Sequence, residues 1–315
     1  MRYDFAPMEG VTGYVYRNLH RKMFGGVQRY YMPFLSANQS RVFSKKEWQD
    51  ICPEHNDGAR DLIPQILGKN AEDFLWVAGE LWAMGYGEVN LNLGCPSGTV
   101  TAKGKGAGFL AHLPELRAFL DAVFSRAAGP LSVKTRLGVT DPEEFGAILA
   151  LYNQYPIAEL TIHPRVRKDF YKHPARVEDF AAALGQCKMP VCYNGDIMSR
   201  QDCARMEQRF PSLRALMIGR GLVADPAMLA PEKHTREMLR EFDERLFEGY
   251  RAMFGNDRNA MMRMKEVWFY HIHLFDGHEK LAKRLRRTTD SGEYRAIVDE
   301  IYRTLPMREN ARQEW

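Results

Sequence analysis

An alternation limits most strongly what this chain can form. Eight short strand-like runs occur in order: YDFA (3–6), RYYMPF (29–34), LIPQIL (62–67), EVNLNL (88–93), LSVKTRL (131–137), ELTIH (159–163), PVCYNG (190–195) and ALMIGR (215–220). Most are rich in Val, Ile, Leu or Tyr, and several are bounded by Gly or Pro, as strands are. Segments of helical spacing separate most of them. EDFLWVAGELWAMG (72–85) is one; PELRAFLDAVFSRAAG (114–129), opening on Pro114 and closing on Gly129, is another. This pattern, sustained to about residue 230, predicts an α/β fold, an eight-stranded parallel β/α (TIM) barrel. The rival is an open doubly wound sheet, which carries a glycine-rich phosphate loop after its first strand. Pro7-Met8-Glu9-Gly10 stands there instead.

After Pro231 the strands stop. Residues 232–254, 261–275 and the stretch from Gly277 onward read as consecutive helices. The sequence therefore predicts a barrel domain over 1–231 and a small helical bundle over 232–315. The polar end, MRENARQEW, is expected to stay unstructured.

Composition removes several classes. No apolar run approaches the ~20 residues that span a bilayer, and the N-terminus shows no apolar signal region, so a cytoplasmic protein is expected. The five cysteines are odd in number and include no CxxC pair. That argues against a zinc ribbon and a disulfide framework, and no metal is expected. With 44 basic against 40 acidic residues, the charge permits a nucleic-acid partner without requiring one.

Chemistry-bearing residues gather near the ends of seven of the eight strands, which in a β/α barrel is the active-site face. Pro7, Met8 and Glu9 follow the first strand and Gln65 lies near the end of the third. Asn90, Asn92 and Cys95 end the fourth, Lys134 and Arg136 lie on the fifth, and His163 ends the sixth. Asn194-Gly195-Asp196 ends the seventh and Gly219-Arg220-Gly221 the eighth. A single lysine, histidine or cysteine here has an ordinary structural explanation; the shared placement is what carries weight. Lys134 in an apolar strand is costly unless paired. The last two loops suit a phosphate, because glycine admits backbone N–H groups and Arg220 is a forked donor. A phosphate at one side and Lys134 with Gln65 across the mouth suit FMN, whose reduced ring needs a cation near its pyrimidine edge. Within NLNLGCPSG (90–98), Cys95 is fixed between Gly94 and Pro96; packing, acid, nucleophile and ligand roles are all open to it.

Together APMEGVT, NLNLGCPSGTV, SVKTRLG, the histidine of TIHPR, VCYNGDI and MIGRGLVADP resemble the tRNA-dihydrouridine synthases, over about residues 4–230. The resemblance implies an FMN enzyme with a barrel and a helical domain. Pro7, Met8, Glu9, Gln65, Lys134, His163, Asn194, Gly195, Asp196, Gly219 and Arg220 would hold FMN. NADPH would reduce it, Cys95 would donate a proton, and Asn92 would orient the uracil. Asn90, Arg136 and Arg165 join Asn92 as expected substrate contacts. Gly98 replaces a lysine frequent in the family, Asn90 a frequent aspartate, and Pro164 separates His163 from Arg165.

The chemistry agrees with that resemblance. Reducing the C5=C6 bond of uracil takes a hydride and a proton, and a thiol with an ordinary pKa of about 8.5 is mostly protonated at neutral pH. A uridine in folded tRNA must be extruded to be reached. HEKLAKRLRRTTD (278–290) offers a surface for the RNA, with Lys280, Lys283, Arg284 and Arg287 on one helix face and Leu281 and Leu285 facing the bundle. The first expectation is thus an NADPH-dependent, FMN-containing tRNA-uridine reductase acting as a monomer. The alternatives are a small-molecule flavin oxidoreductase of dihydroorotate- or enoate-reducing type, and a binding module without turnover.

Overall fold

The structure is a computed structural model and describes residues 1–56, 61–232 and 235–311. Its ten strands are β1 Arg2–Phe5, β2 Arg29–Tyr31, β3 Leu35–Ser36, β4 Leu62–Ile63, β5 Gln65–Leu67, β6 Val89–Leu93, β7 Leu131–Gly138, β8 Leu160–Val166, β9 Val191–Asn194 and β10 Ala215–Ile218. The run expected at 62–67 appears as two strands, and the run expected at 29–34 holds only β2, with β3 just beyond it. Pro33 and Pro64 sit at the breaks, and proline has no N–H to give a ladder.

One sheet, in the order β3-β5-β6-β7-β8-β9-β10-β1-β2-β4, holds all ten. The pairing is parallel, with β2 on β4 and β3 on β5. Since β2 runs into β3 and β4 into β5 along the chain, the two ends of that order meet. Eight strand positions close a β/α barrel, as expected, although two of them are interrupted.

The helices are α1 Tyr14–Met23, α2 Lys45–Ile51, α3 Ala71–Ala83, α4 Gly98–Thr101, α5 Leu113–Phe124, α6 Glu144–Tyr152, α7 Val177–Leu184, α8 Arg200–Arg209, α9 Arg220–Ala224, α10 Arg236–Phe254, α11 Asp257–His271, α12 Glu279–Arg287 and α13 Ser291–Thr304. Local signals explain their ends. Ser44 and Glu47 form a capping box on α2, Asn70 caps α3, and Pro114 opens α5.

The chain forms two compact units. The first comprises residues 1–7, 29–196 and 210–217. Alternation along its strands splits two environments. Leu91, Leu93, Val133, Leu160 and Ile162 are buried apolar positions, whereas Asn90, Asn92, Lys134 and His163 alternate with them. Ala6, Tyr31, Ile63, Cys192, Ala215 and Met217 form a buried apolar cluster. Near the N-terminal strand ends, Arg2 donates to Asp4 Oδ1 and Oδ2 at 2.8 and 2.7 Å and to both Glu159 oxygens at 2.6 and 2.7 Å. Burial pushes the Asp4 carboxyl up to about 6, against the pull of Arg2.

The second unit comprises residues 8–28, 197–209 and 218–315. Helix α1 packs on α10 through Tyr16 and Phe242, edge to face at 5.4 Å, and Phe24 lies 5.0 Å from Phe242. Thr235, Asn256 and Asp290 cap α10, α11 and α13, and Gly255 ends α10 in the left-handed conformation. At its centre His271 Nδ1 donates to Ala224 O at 2.9 Å, and its Nε2 lies 3.1 Å from Tyr302 Oη. That hydroxyl donates to Asp243 Oδ2 at 2.5 Å. The C-terminal stretch is more ordered than its composition implies. Met307 bridges to Phe275, and Arg308 N donates to Leu274 O at 2.8 Å. Residues 312–315 lie outside the described residues.

Among the described residues no helix is long and apolar enough to cross a membrane.

Candidate active site

Within the first unit the strand register gathers the expected residues. Gln65 pairs with Asn90, Asn92 with Lys134, and Arg136 with His163. Their side chains are cross-linked. Gln65 Nε2 donates to Asn90 Oδ1 at 2.8 Å, Asn90 Nδ2 to Ser132 Oγ at 2.9 Å, and Asn92 Nδ2 to Gln65 Oε1 at 2.7 Å. Three buried amides so placed rigidify one another, because each would be costly unpaired.

Asn92 also builds the cysteine loop. Its Oδ1 accepts from Gly94 N at 3.0 Å and Cys95 N at 2.9 Å. On the other side Cys95 O accepts from Ala107 N at 3.0 Å. Gly106, at a φ of 56°, closes that approach; a Cβ there would lie 2.8 Å from Cys95 O and 3.1 Å from Cys95 Cβ. The backbone of Cys95 is thus held from both sides. The sequence shows a signal for this in GKGAG (104–108), a glycine run that strand and helix patterns leave unused.

Lys134 is different. Half-buried, it has no hydrogen-bond or ion-pair partner among the described residues. Desolvation, helped by the Arg136 guanidinium, pulls its ammonium down to about 8, with Cys95 acting in the opposite direction. It is a cation that lacks a protein anion.

Arg136 and Arg165, both buried, are engaged by protein. Arg136 Nε donates to Gly94 O at 2.9 Å, and Nη1 to Val166 O and Phe170 O at 3.0 and 3.1 Å; its guanidinium lies 5.4 Å from the Tyr171 ring. Arg165 donates to His173 O at 2.6 Å, to His163 Nε2 at 2.8 Å and to both Asp196 oxygens at 2.8 and 2.6 Å. Asp196 adopts a left-handed φ of 46°, a conformation aspartate tolerates, and Ala175 N also donates to it at 2.8 Å. Asn194 Nδ2 is taken by Met217 O at 2.8 Å. The Asn194 and Asp196 side chains are therefore engaged in the scaffold. Gly195 packs on Ala175, where a Cβ would lie 2.9 Å from Ala175 Cβ.

Of the expected cofactor residues, Pro7 belongs to the first unit, and Met8, Glu9, Gly219 and Arg220 to the second. Met8 starts a tight turn, its N donating to Thr12 Oγ1 at 2.8 Å and its O accepting from Val11 N and Thr12 N. Gly219 is the N-cap of α9. Gly221 is glycine because Ile197 O approaches it too closely for any Cβ.

In the second unit α12 matches its expected faces. Leu281 and Leu285 are buried, and Lys280, Lys283, Arg284 and Arg287 are exposed. Arg284 is committed to Glu300 at 2.7 Å. Arg286, outside the expected set, is exposed on the same helix.

The dihydrouridine synthase (Dus) family model matches residues 4–303. A probable tRNA-dihydrouridine synthase of Staphylococcus epidermidis is 29% identical, over 98% of this chain and 95% of the relative. A tRNA-dihydrouridine(16) synthase of Neisseria meningitidis serogroup B is 27% identical, over 96% of each. Among solved structures, morphinone reductase shares the fold with a TM-score of 0.51 and 12% identity, over 75% of this chain and 88% of that one. A family match spanning the barrel and the helical region, over a site built around the cysteine and the lysine that carried the resemblance, shows that this chain belongs to the dihydrouridine synthase family.

Proposed function

We propose that the chain is an NADPH-dependent tRNA-dihydrouridine synthase that uses FMN, acting as a monomer in the cytoplasm. One observation carries the reading. Cys95, held rigidly by Asn92 and Ala107, follows the strand that pairs with the strand of Lys134, a cation without a partner among the described residues.

The residues fit a flavin. Lys134 lacks an anion, and the pyrimidine edge of FMN would supply polar acceptors that become negative when the ring is reduced. Gln65 and His163 supply further polar atoms on the same strand face. Pro7, Met8, Glu9, Asn194, Gly195, Asp196, Gly219 and Arg220 complete the proposed cofactor set, with Met8, Glu9, Gly219 and Arg220 resting on the resemblance alone. When bound and reduced by NADPH, FMN would supply the hydride for C6 of the uracil.

The chain's own residues do the rest. Lys134 stabilises negative charge at the ring. Asn92 fixes the loop so that the Cys95 thiol gives its proton to C5. Arg136 holds the same loop through Gly94 O, and Arg165 orients His163, so both arginines support the site from behind. The basic face of α12 binds the RNA backbone. The functional division proposed is a catalytic domain over 1–231 and an RNA-binding domain over 232–315.

The test is direct. Purified protein is incubated with NADPH and unmodified tRNA, and digested nucleosides are examined by mass spectrometry. Gain of two hydrogens on a uridine is expected. No product from tRNA, with rapid reduction of a free pyrimidine or an enone, would overturn the reading. So would a colourless protein that FMN does not reconstitute.

A further inference from the structure

We propose that the groove between α11 and α12 is a nucleobase pocket, which receives an unpaired base bearing an exocyclic amine from the RNA. This rests on the tRNA reading above and adds to it a second contact, away from the reacting uridine.

The groove has a volume of about 450 Å³, and Trp268, Ile272 and Leu285 are among its lining residues. All three are buried. Such a volume lies within the usual range of small-ligand sites. At its edge two large apolar side chains remain in solvent, Met262 at 48% and Phe269 at 50% exposure. They are seven residues apart on α11 and so share one face of the helix. Neither is needed to close the core, which Met264, Val267 and Trp268 already fill. An exposed aromatic ring beside a flexible thioether is a stacking surface for a planar group.

A polar group selects what is stacked. His278 is 6% exposed and lines the groove. Its Nδ1 donates to Phe275 O at 2.7 Å, because a carbonyl only accepts. In the neutral ring Nε2 is then an acceptor, and it has no hydrogen-bond partner among the described residues. Glu266, also in the lining, is a second acceptor. Two acceptors favour a base edge that donates; of the cations in the lining, Lys265 donates to Thr288 O at 2.8 Å, and Arg286 is left for a flanking phosphate.

The surroundings favour nucleic acid over a protein helix. Helix α12 carries five basic residues against Glu279 alone. Among the described residues Lys280, Lys283, Arg286 and Arg287 have no ion-pair partner, and Arg286 lines the groove itself. Phosphates on either side of a stacked base would meet these cations.

The experiment uses the full chain with [13C-ε]methionine, the Met262 signal being assigned through Met262→Leu. Unmodified tRNA is expected to shift the Met262 methyl upfield by ring current. Adenosine or cytidine monophosphate should shift it more than uridine monophosphate. Phe269→Ala should weaken tRNA binding by roughly tenfold while leaving the salt slope unchanged, whereas Arg286→Ala should reduce the slope. If wild-type protein binds tRNA but the methyl does not move and Phe269→Ala binds as tightly, the pocket is wrong and the enzyme reading stands. A methyl shift produced by protein concentration alone would mean a second copy fills the groove, which also overturns the pocket. Absence of both tRNA binding and dihydrouridine would remove the pocket and the enzyme reading together.

Discussion

Arg165 Nη1 lies 2.8 Å from His163 Nε2. A guanidinium has no acceptor, so Nε2 must be the bare nitrogen and the ring proton sits on Nδ1. His163 is thereby a neutral donor and not an acid. Nitrogen-15 spectra of the imidazole should show Nε2 unprotonated and Nδ1 protonated. Arg165→Met should let the ring exchange tautomers. The same change removes the ion-pair partner of Asp196, which keeps the Ala175 N–H, and unfolding in denaturant should register a loss of up to about 3–5 kcal/mol. An unaltered imidazole spectrum in the variant would refute the assignment.

Cys95→Ala separates chemistry from assembly. The variant should bind FMN and accept electrons from NADPH like the wild type, both read in flavin absorbance. Turnover of tRNA should fall by on the order of a hundred- to ten-thousand-fold, the usual worth of a general acid. Full turnover would show that another group protonates C5.

Gly106→Ala tests the approach behind that cysteine. The new methyl meets Cys95 O and Cys95 Cβ, and the backbone is left-handed there. Misplacing a reacting group by about 1 Å costs up to roughly a hundredfold in rate. We expect kcat to fall by at least about tenfold on the same argument, with FMN affinity little changed. Single-turnover kinetics of the reduced enzyme would read the step directly.

Lys134 sets a trade between stability and binding. Its ammonium is held near 8 in the fold, against 10.5 as the ordinary value. The unfolded chain therefore binds more protons between those pH values, and stability from this group rises as pH climbs through the window. Below the window the charge is a net cost. Lys134→Met should therefore stabilise the FMN-free protein at neutral pH by on the order of 1 kcal/mol. It should also weaken FMN binding. In the wild type FMN affinity should fall as pH rises past about 8, and the variant should show no such fall. Fluorescence titration of FMN against pH checks both statements.

Much of this was legible in advance because barrel strands are buried runs between turn residues. Their inward positions announce themselves by period two. Lys134 stood out as a charge in an apolar strand, and Cys95 only through its place at a strand end with other chemistry-bearing residues. Partners were another matter. Period fixes a face and not the residue opposite, so the Gln65–Asn90–Asn92 amide chain, joining positions 25 and 27 apart, was invisible. Arg136 and Arg165 show the same limit, since nothing in the sequence says that Arg136 donates to Gly94 O or Arg165 to Asp196. Arg284 was read correctly as exposed, but its pairing with Glu300 depends on how α12 meets α13.

The way the second unit is assembled bears on how such a protein is cut or recombined. Its helices do not begin at residue 232. Val11 O accepts from Tyr250 Oη at 3.3 Å, Phe24 packs on Phe242, and Ala224 O takes the proton of His271. A gene fragment encoding only 232–315 would lack α1, α8 and α9 and leave those aromatic and carbonyl partners behind. The helical part is therefore not a cassette to be appended to another barrel. Exchanging it between relatives means exchanging three separated pieces of the coding sequence at once.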